Sequence, residues 1–215
     1  MKNSTNYHDY VFKDGKLIGR FNDMYKYSDN IPWHQDKTAY KVFSDIDISI
    51  LKQHNYESIC EIGCGLGYFA NRLHKELNYG LGRPKVTGVE ISHEAVQKAK
   101  IQFPEICFIT EDLIIRPLKN KQKYFDCVVI KATLWYVCHK LEHFMRNALS
   151  MIKEGGFLYV SQSFPEEKDW VGKEIIDSPE RLYEILSQYA VPIHYCVEWE
   201  LNYSGRPYVH FLGKV

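Results

Sequence analysis

Ile59-Cys60-Glu61-Ile62-Gly63-Cys64-Gly65-Leu66-Gly67-Tyr68-Phe69-Ala70 is the stretch on which the reading of the fold turns. A short apolar run leads into three glycines spaced two apart. Phe69, Ala70, Leu73 and Leu77 then fall on one face at helical spacing. The pattern predicts a buried strand, a tight turn and a helix whose N-terminus is open to a ligand. Gly63 and Gly65 permit positive φ and carry no Cβ that would hold a bound molecule off the backbone. Free N–H groups of the first helical turn can then donate to an anionic group.

A second stretch extends the argument. Val86-Thr87-Gly88-Val89-Glu90-Ile91-Ser92 reads as another strand, and it ends on Glu90, 23 positions after Gly67. A carboxylate at the end of the second strand can accept from both hydroxyls of a ribose, so the pair of stretches points to a nucleoside site. A dinucleotide turn wants Gly-x-Gly-x-x-Gly. Tyr68 occupies that last position here, with the third glycine one step early at Gly67.

Glu61-Ile62-Gly63-Cys64-Gly65-Leu66-Gly67 resembles motif I of the class I methyltransferases, which bind S-adenosylmethionine. Two further segments resemble that family in the expected order. Ile109-Thr110-Glu111-Asp112-Leu113 looks like the turn after its third strand, and Tyr124 to Ile130 looks like its fourth strand. The likeness covers roughly residues 40–165. It implies a Rossmann-like α/β fold: a mostly parallel seven-stranded sheet with a C-terminal antiparallel hairpin and helices on both faces. It also implies that Gly63, Gly65 and Gly67 face the methionine portion and that Glu61 lies near the cofactor's amino group. Glu90, with Ile91 beside it, would take the ribose, and Asp112 with Leu113 the adenine.

The chain has 215 residues, enough for one well-buried α/β domain and short for two. With 27 basic and 27 acidic residues its formal charge is zero, which disfavours a nucleic-acid partner. The six cysteines contain no Cys-x-x-Cys pair, and four sit in predicted strands or the glycine turn, where free Cys acts as a small hydrophobe. No signal-peptide core follows Met1, and no apolar run is long enough for a membrane span. A soluble, cytoplasmic protein with no membrane partner is expected, as monomer or homodimer.

Residues 1–36 form an aromatic-rich arm with a turn signal at Asp14-Gly15 and no sustained helical period. It reads either as a lid over the site or as a static cover for the core, and residues 37–215 read as a single domain. Within the arm, Asn30-Ile31-Pro32-Trp33-His34 resembles a segment that precedes motif I in nodulation-protein-S-like methyltransferases, although the acidic residue usual there is absent. Trp33 is expected either against the cofactor or as a plug in the core. From Thr38 a helix is expected to bury Val42, Phe43, Ile46, Ile50 and Leu51. Ser92 should cap the next helix, and Leu141, Phe144, Met145, Ala148, Leu149 and Ile152 mark another that Gly155-Gly156 would stop. Ser178-Pro179 opens a further helix, and strands at 194–201 and 208–215 should pair antiparallel across Ser204-Gly205-Arg206-Pro207.

Methyl transfer from a sulfonium is an in-line displacement, so positioning carries most of the catalysis and leaves few sequence marks. Lys131-Ala132 stands where nodulation-type relatives often have Ser-Glu, so no acid–base role carries over. Lys131, counted among the cofactor-binding candidates, is expected either to hold an anionic substrate or to be a surface lysine. His139, just after the fourth strand, and His34 on the arm are the candidate general bases. His139, Glu142 and His143 also match an inverted zincin motif, but three fixed positions recur by chance, and no metal site is expected. The function read from the sequence is methyl transfer to a hydroxyl or amine of a small molecule, with a sugar, amino sugar or secondary metabolite favoured. The alternatives are a non-catalytic nucleoside-binding protein of the same fold, or an NAD-dependent oxidoreductase that tolerates Tyr68.

Overall fold

Seven strands make one sheet, and their order decides where a ligand can sit. The computed structural model describes residues 4, 6–77, 82–165, 170–200 and 206–215. The strands are β1 (Ser58–Ile62), β2 (Lys85–Glu90), β3 (Cys107–Thr110), β4 (Phe125–Lys131), β5 (Ile152–Ser163), β6 (Val191–Glu200) and β7 (Arg206–Lys214). They lie in the order β3-β2-β1-β4-β5-β7-β6. Only β7 runs antiparallel to its neighbours, pairing Tyr159 with Leu212 on one side and Glu198 with Tyr208 on the other. Chain order reverses between β1 and β4, and a crevice opens there at the carboxyl ends of the strands.

Each face of the sheet is covered by helices, as parallel pairing requires. Helices α3 (Val42–Leu51), α4 (Tyr68–Glu76) and α5 (His93–Gln102) pack one face through Ile48, Leu51, Phe69, Leu73, Val96 and Ala99. The other face is covered by α6 (Leu141–Ser150) and α7 (Pro179–Leu186) through Phe144, Met145, Leu182 and Leu186. β1 is buried along its whole length, Glu61 included. Ser92 Oγ accepts from Ala95 N–H at 3.2 Å and Ser178 Oγ from Arg181 N–H at 3.1 Å, so both expected N-caps form.

Three expectations need correction. The helix after the arm begins at Val42 rather than Thr38; Val42 is exposed, and the buried face includes Asp47 instead. Gly155-Gly156 does not stop α6, which ends at Ser150, and Ile152 already belongs to β5. The glycines lie inside β5, where a Cβ on Gly156 would come within 2.9 Å of the Asp126 carbonyl oxygen. Cys107, although in a strand, is exposed at the sheet edge. The expected turn at Ser204-Gly205 and most of the loop at 78–85 lie outside the described residues.

The arm is more regular than its sequence suggests. It contains α1 (His8–Val11), a two-stranded ribbon turning at Asp14-Gly15, and α2 (Phe21–Tyr27). Both turn residues have positive φ, the requirement of a tight primed hairpin. Tyr10, Val11, Met24 and Tyr25 bury themselves against Leu66 of the glycine turn and Ala95 of α5. Asn22 Oδ1 accepts from Ser92 Oγ at 2.9 Å and from Glu94 N–H at 3.3 Å, which fixes α2 to the start of α5. Among the described residues no helix is long and apolar enough to cross a membrane.

Candidate active site

A cavity of about 690 Å³ fills the crevice, floored by strand ends and roofed by the arm. The glycine turn forms its central wall, and the three glycines answer to three different constraints. A Cβ on Gly63 (φ +75°) would stand 2.3 Å from Thr133 Oγ1. On Gly65 (φ +54°) it would meet the Gln35 amide and the Tyr25 hydroxyl. On Gly67 (φ +81°) it would strike the Phe108 ring at 2.5 Å. Gly67 is therefore a packing glycine: its bare side turns to Phe108, not to the cavity, contrary to the expectation from sequence. Of the three, Gly63 lines the cavity.

Carboxylates mark the other walls. Glu90 ends β2 and is buried; its Oε2 accepts from Gly65 N–H and its Oε1 from Ser92 N–H, both at 3.0 Å. Burial raises its pKa, and the N–H groups of Ser92, Gly65 and Ile91 oppose that rise. Asp112 follows β3 and accepts from Ile114 N–H at 2.8 Å, a local turn that aims the segment at the cavity. Ile91 and Leu113 also line the space. Glu61, on β1, is 3% exposed; burial pushes its carboxyl up to about 8, with Lys131 pulling the other way. Its Oε2 has no hydrogen-bond partner among the described residues.

Lys131 ends β4 at the far side of the glycine turn. Its ammonium is bound by the Asp47 carboxylate and donates to the Tyr208 hydroxyl at 2.9 Å. Phe43 and Phe69 stand over it with ring centres 4.8 Å away. Burial works to lower its pKa, but Asp47 and Tyr208 outweigh that and hold it at about 12. Lys131 is neither a surface lysine nor a cation awaiting an anion, because Asp47 already neutralises it. Asp47 is itself fully buried: burial would raise its pKa, yet Lys131 and His210 hold it below the usual carboxylate range.

Trp33 and His34, both at positive φ, line the cavity from the arm. Trp33 packs among Tyr7, Tyr25 and Tyr136, with ring centres 5.5, 6.4 and 5.6 Å away. Gln35 reaches from the arm into the glycine turn. Its Oε1 accepts from Leu66 N–H at 2.8 Å and its Nε2 donates to the Tyr25 hydroxyl at 2.9 Å. His139 is exposed on the short turn before α6 and is not part of the cavity lining, so the geometry removes it as a base. Glu142 and His143 beside it are exposed as well. Asn22, Gln35, Asp47, Tyr159, Glu198, Tyr208 and His210 escaped the sequence reading. Their partners are distant in the chain, and no local pattern marks them.

A sheet with one antiparallel strand in this position, a glycine turn after β1 and an acid ending β2 is the class I methyltransferase arrangement. Residues 59–156 match the family model described as a methyltransferase domain, so this segment is a methyltransferase domain of the class that takes S-adenosylmethionine as its cofactor. An S-adenosylmethionine-dependent methyltransferase from Aquifex aeolicus has a similar fold, at TM-score 0.65 and 14% identity over 86% of this chain and 96% of that one. The N-methyltransferase NodS from Bradyrhizobium japonicum, solved with S-adenosylhomocysteine, aligns at TM-score 0.62 and 14% identity over 97% and 95%. The [4+2]-cyclase SpnF aligns at TM-score 0.61 and 14% identity over 80% and 81%. No curated protein matches the chain at a significant level.

The residues present fit the cofactor. The unpartnered Glu61 oxygen is a buried acceptor at the cavity wall, suited to an ammonium group. Gly63 brings backbone to the cavity wall with Thr133 packed over its side-chain position, and the buried Glu90 carboxylate borders the space.

Proposed function

We propose that the protein transfers a methyl group to a hydroxyl or amine of a small molecule. The observation that carries this reading is the roof. Tyr7, Phe21, Trp33 and His34 of the arm close over the strand ends and leave a cavity of about 690 Å³. That is within the range of small-molecule sites, at about 300–1,000 Å³. A sugar, amino sugar or secondary metabolite suits the mixed polar and aromatic walls.

When bound, the cofactor supplies an electrophilic methyl on a sulfonium. Glu61 would receive its ammonium group, Glu90 its ribose hydroxyls, and Asp112 with the Leu113 backbone its adenine, against which Ile91 packs. Gly63 gives the methionine portion room, and Gly65 N–H keeps the Glu90 carboxylate oriented. Trp33 and Tyr25 present aromatic faces near this region, and such faces stabilise a cation by about 0.5–2 kcal/mol. The arm acts as a cover that excludes water, while residues 37–215 form the domain that binds and orients both molecules.

NodS is an N-methyltransferase, and its likeness to this chain favours an amine over a carbon acceptor. A second reading is held open by SpnF, a cyclase of the same fold: the protein would bind the nucleoside without transferring a methyl. Incubation with cofactor labelled in its methyl group and a small-molecule extract distinguishes the two. Label in a low-mass product supports methyl transfer; label only in macromolecules, or none with the cofactor bound and intact, contradicts it.

A further inference from the structure

We propose that Glu198 is a catalytic residue of the acceptor side: its carboxylate takes the proton that the acceptor gives up, and His210 and Asp47 position it from behind. The proposal rests on the reading of the protein as a methyltransferase acting on a hydroxyl or amine.

The geometry begins with His210. It lies on β7 with no exposure, and its Nδ1 is 2.9 Å from Asp47 Oδ1 and 3.1 Å from the Tyr159 hydroxyl. The Tyr159 hydroxyl donates to the same Asp47 oxygen at 2.8 Å. With the hydroxyl hydrogen spent on Asp47, Nδ1 must carry its own proton toward that carboxylate. The other ring nitrogen, Nε2, faces Glu198 Oε2 at 3.7 Å, and neither atom has a hydrogen-bond partner among the described residues. Two buried acceptors that face each other and have no other partner are costly, so an ionised Glu198 beside a bare Nε2 lacks one proton, the one an acceptor can supply.

Every other member of this chain of groups is saturated. Asp47 Oδ2 holds the Lys131 ammonium, which also engages the Tyr208 hydroxyl at 2.9 Å. Tyr208 borders the cavity too, but burial raises its pKa and a neutral phenol is a poor base. Glu198 is the member that is both unsatisfied and in the cavity wall. It sits on β6, across from Tyr208 in register, on the side of the sheet order opposite β2 and β3 with Glu90 and Asp112. The groups facing His210 are Asp47 from α3, Tyr159 from β5, Glu198 and Cys196 from β6, and Tyr208 from its own strand, with Lys131 of β4 behind Asp47.

A buried chain of ions is seldom the most stable filling for a core, since well-packed apolar side chains of the same volume do as well or better. Its presence at one end of the cavity is explained if the outermost carboxylate works on a ligand. In the transfer, a lone pair of the acceptor oxygen or nitrogen forms the new bond to the methyl carbon, and the electron pair of its O–H or N–H bond stays on that atom as the proton leaves. The carbon–sulfur pair stays on sulfur, which becomes a neutral thioether, and the proton passes to Glu198 and then to water. Charge balances: a cation and a carboxylate go to a neutral thioether and a carboxylic acid.

The test uses the full chain with Glu198→Gln and Glu198→Asp. Nitrogen spectra of histidine-labelled protein, loaded with the demethylated cofactor, read His210 without any acceptor. In the native chain Nε2 should resonate as a bare imidazole nitrogen; Glu198→Gln, whose amide can donate to it, should move the resonance toward the hydrogen-bonded position, and Glu198→Asp should move it less. Calorimetry should give demethylated-cofactor affinities within threefold of the native chain for both variants, on the order of experimental scatter. On a panel of amines and polyols, Glu198→Gln should lower turnover about a hundredfold or more, with partial recovery as pH rises, the magnitude usual for a lost general base. An unmoved Nε2 resonance overturns the proposal, as does native turnover in Glu198→Gln across the pH range. If the native chain binds the demethylated cofactor yet methylates nothing on the panel, the small-molecule reading fails, and the nitrogen resonance alone decides the role of Glu198.

Discussion

Glu61 carries one buried carboxylate oxygen with no partner, and that single atom makes the site sensitive to pH. Its folded pKa is raised from 4.5 to about 8 by burial, so the free protein keeps this carboxyl protonated at neutral pH. The sign for stability follows: a raised carboxyl costs nothing below pH 4.5, an increasing amount between 4.5 and about 8, and a constant amount above. Glu61→Gln should therefore flatten the loss of thermal stability of the free chain between those limits. An ammonium brought beside Glu61 favours its ionised form, so binding of the demethylated cofactor near pH 7 should release about one proton. Calorimetry in buffers of different ionisation enthalpy reads that proton directly; a binding heat independent of the buffer contradicts the assignment. Gly63 offers a test of shape. An alanine there carries φ +75° and meets Thr133 Oγ1 at 2.3 Å, so Gly63→Ala should cost at least the strain of about 1–3 kcal/mol and lower the denaturation midpoint.

The arm is the element in which sequence and structure diverge most. Its aromatic residues were legible as a cover, but α2 is only seven residues long and too short for a helical period to declare itself. What holds it is distant: Asn22 at the start of α5, Lys98 on the Tyr25 carbonyl, and Gln35 on Leu66 of the glycine turn. Gln35 accepts from Leu66 of the turn and donates to Tyr25 of the arm, each hydrogen bond contributing about 0.5–1.5 kcal/mol. Gln35→Ala should raise hydrogen exchange across 21–38 and weaken binding of the demethylated cofactor by about tenfold, from the loss of ~1 kcal/mol or a little more. Exchange and affinity unchanged from the native chain would show that the arm stands without this link. Asp47 on α3 is the second divergence. An acid within an apolar stripe reads as a surface residue until its partners, 84 and 163 positions away, are brought to it by the fold.

At the scale of the whole molecule, the sheet was legible because parallel strands buried on both faces leave apolar runs, as Cys127 to Ile130 of β4 does. The closing pair was legible from its separation by Gly and Pro, although β6 and β7 are both longer than expected. Glycine spacing and the acid at 90 were legible because those features are local. The buried cluster of Asp47, Lys131, Tyr159, Glu198, Tyr208 and His210 was not, because it is assembled from α3, β4, β5, β6 and β7 and no two of these residues are neighbours in sequence. The central claim is that the crevice between β1 and β4 is built for an adenosyl ligand. Titration calorimetry of the full chain with S-adenosylhomocysteine tests it most directly. The expected result is one molecule bound per chain with a micromolar dissociation constant, strongly weakened by Glu90→Ala. Absence of binding at millimolar ligand, or an affinity that Glu90→Ala leaves unchanged, contradicts it.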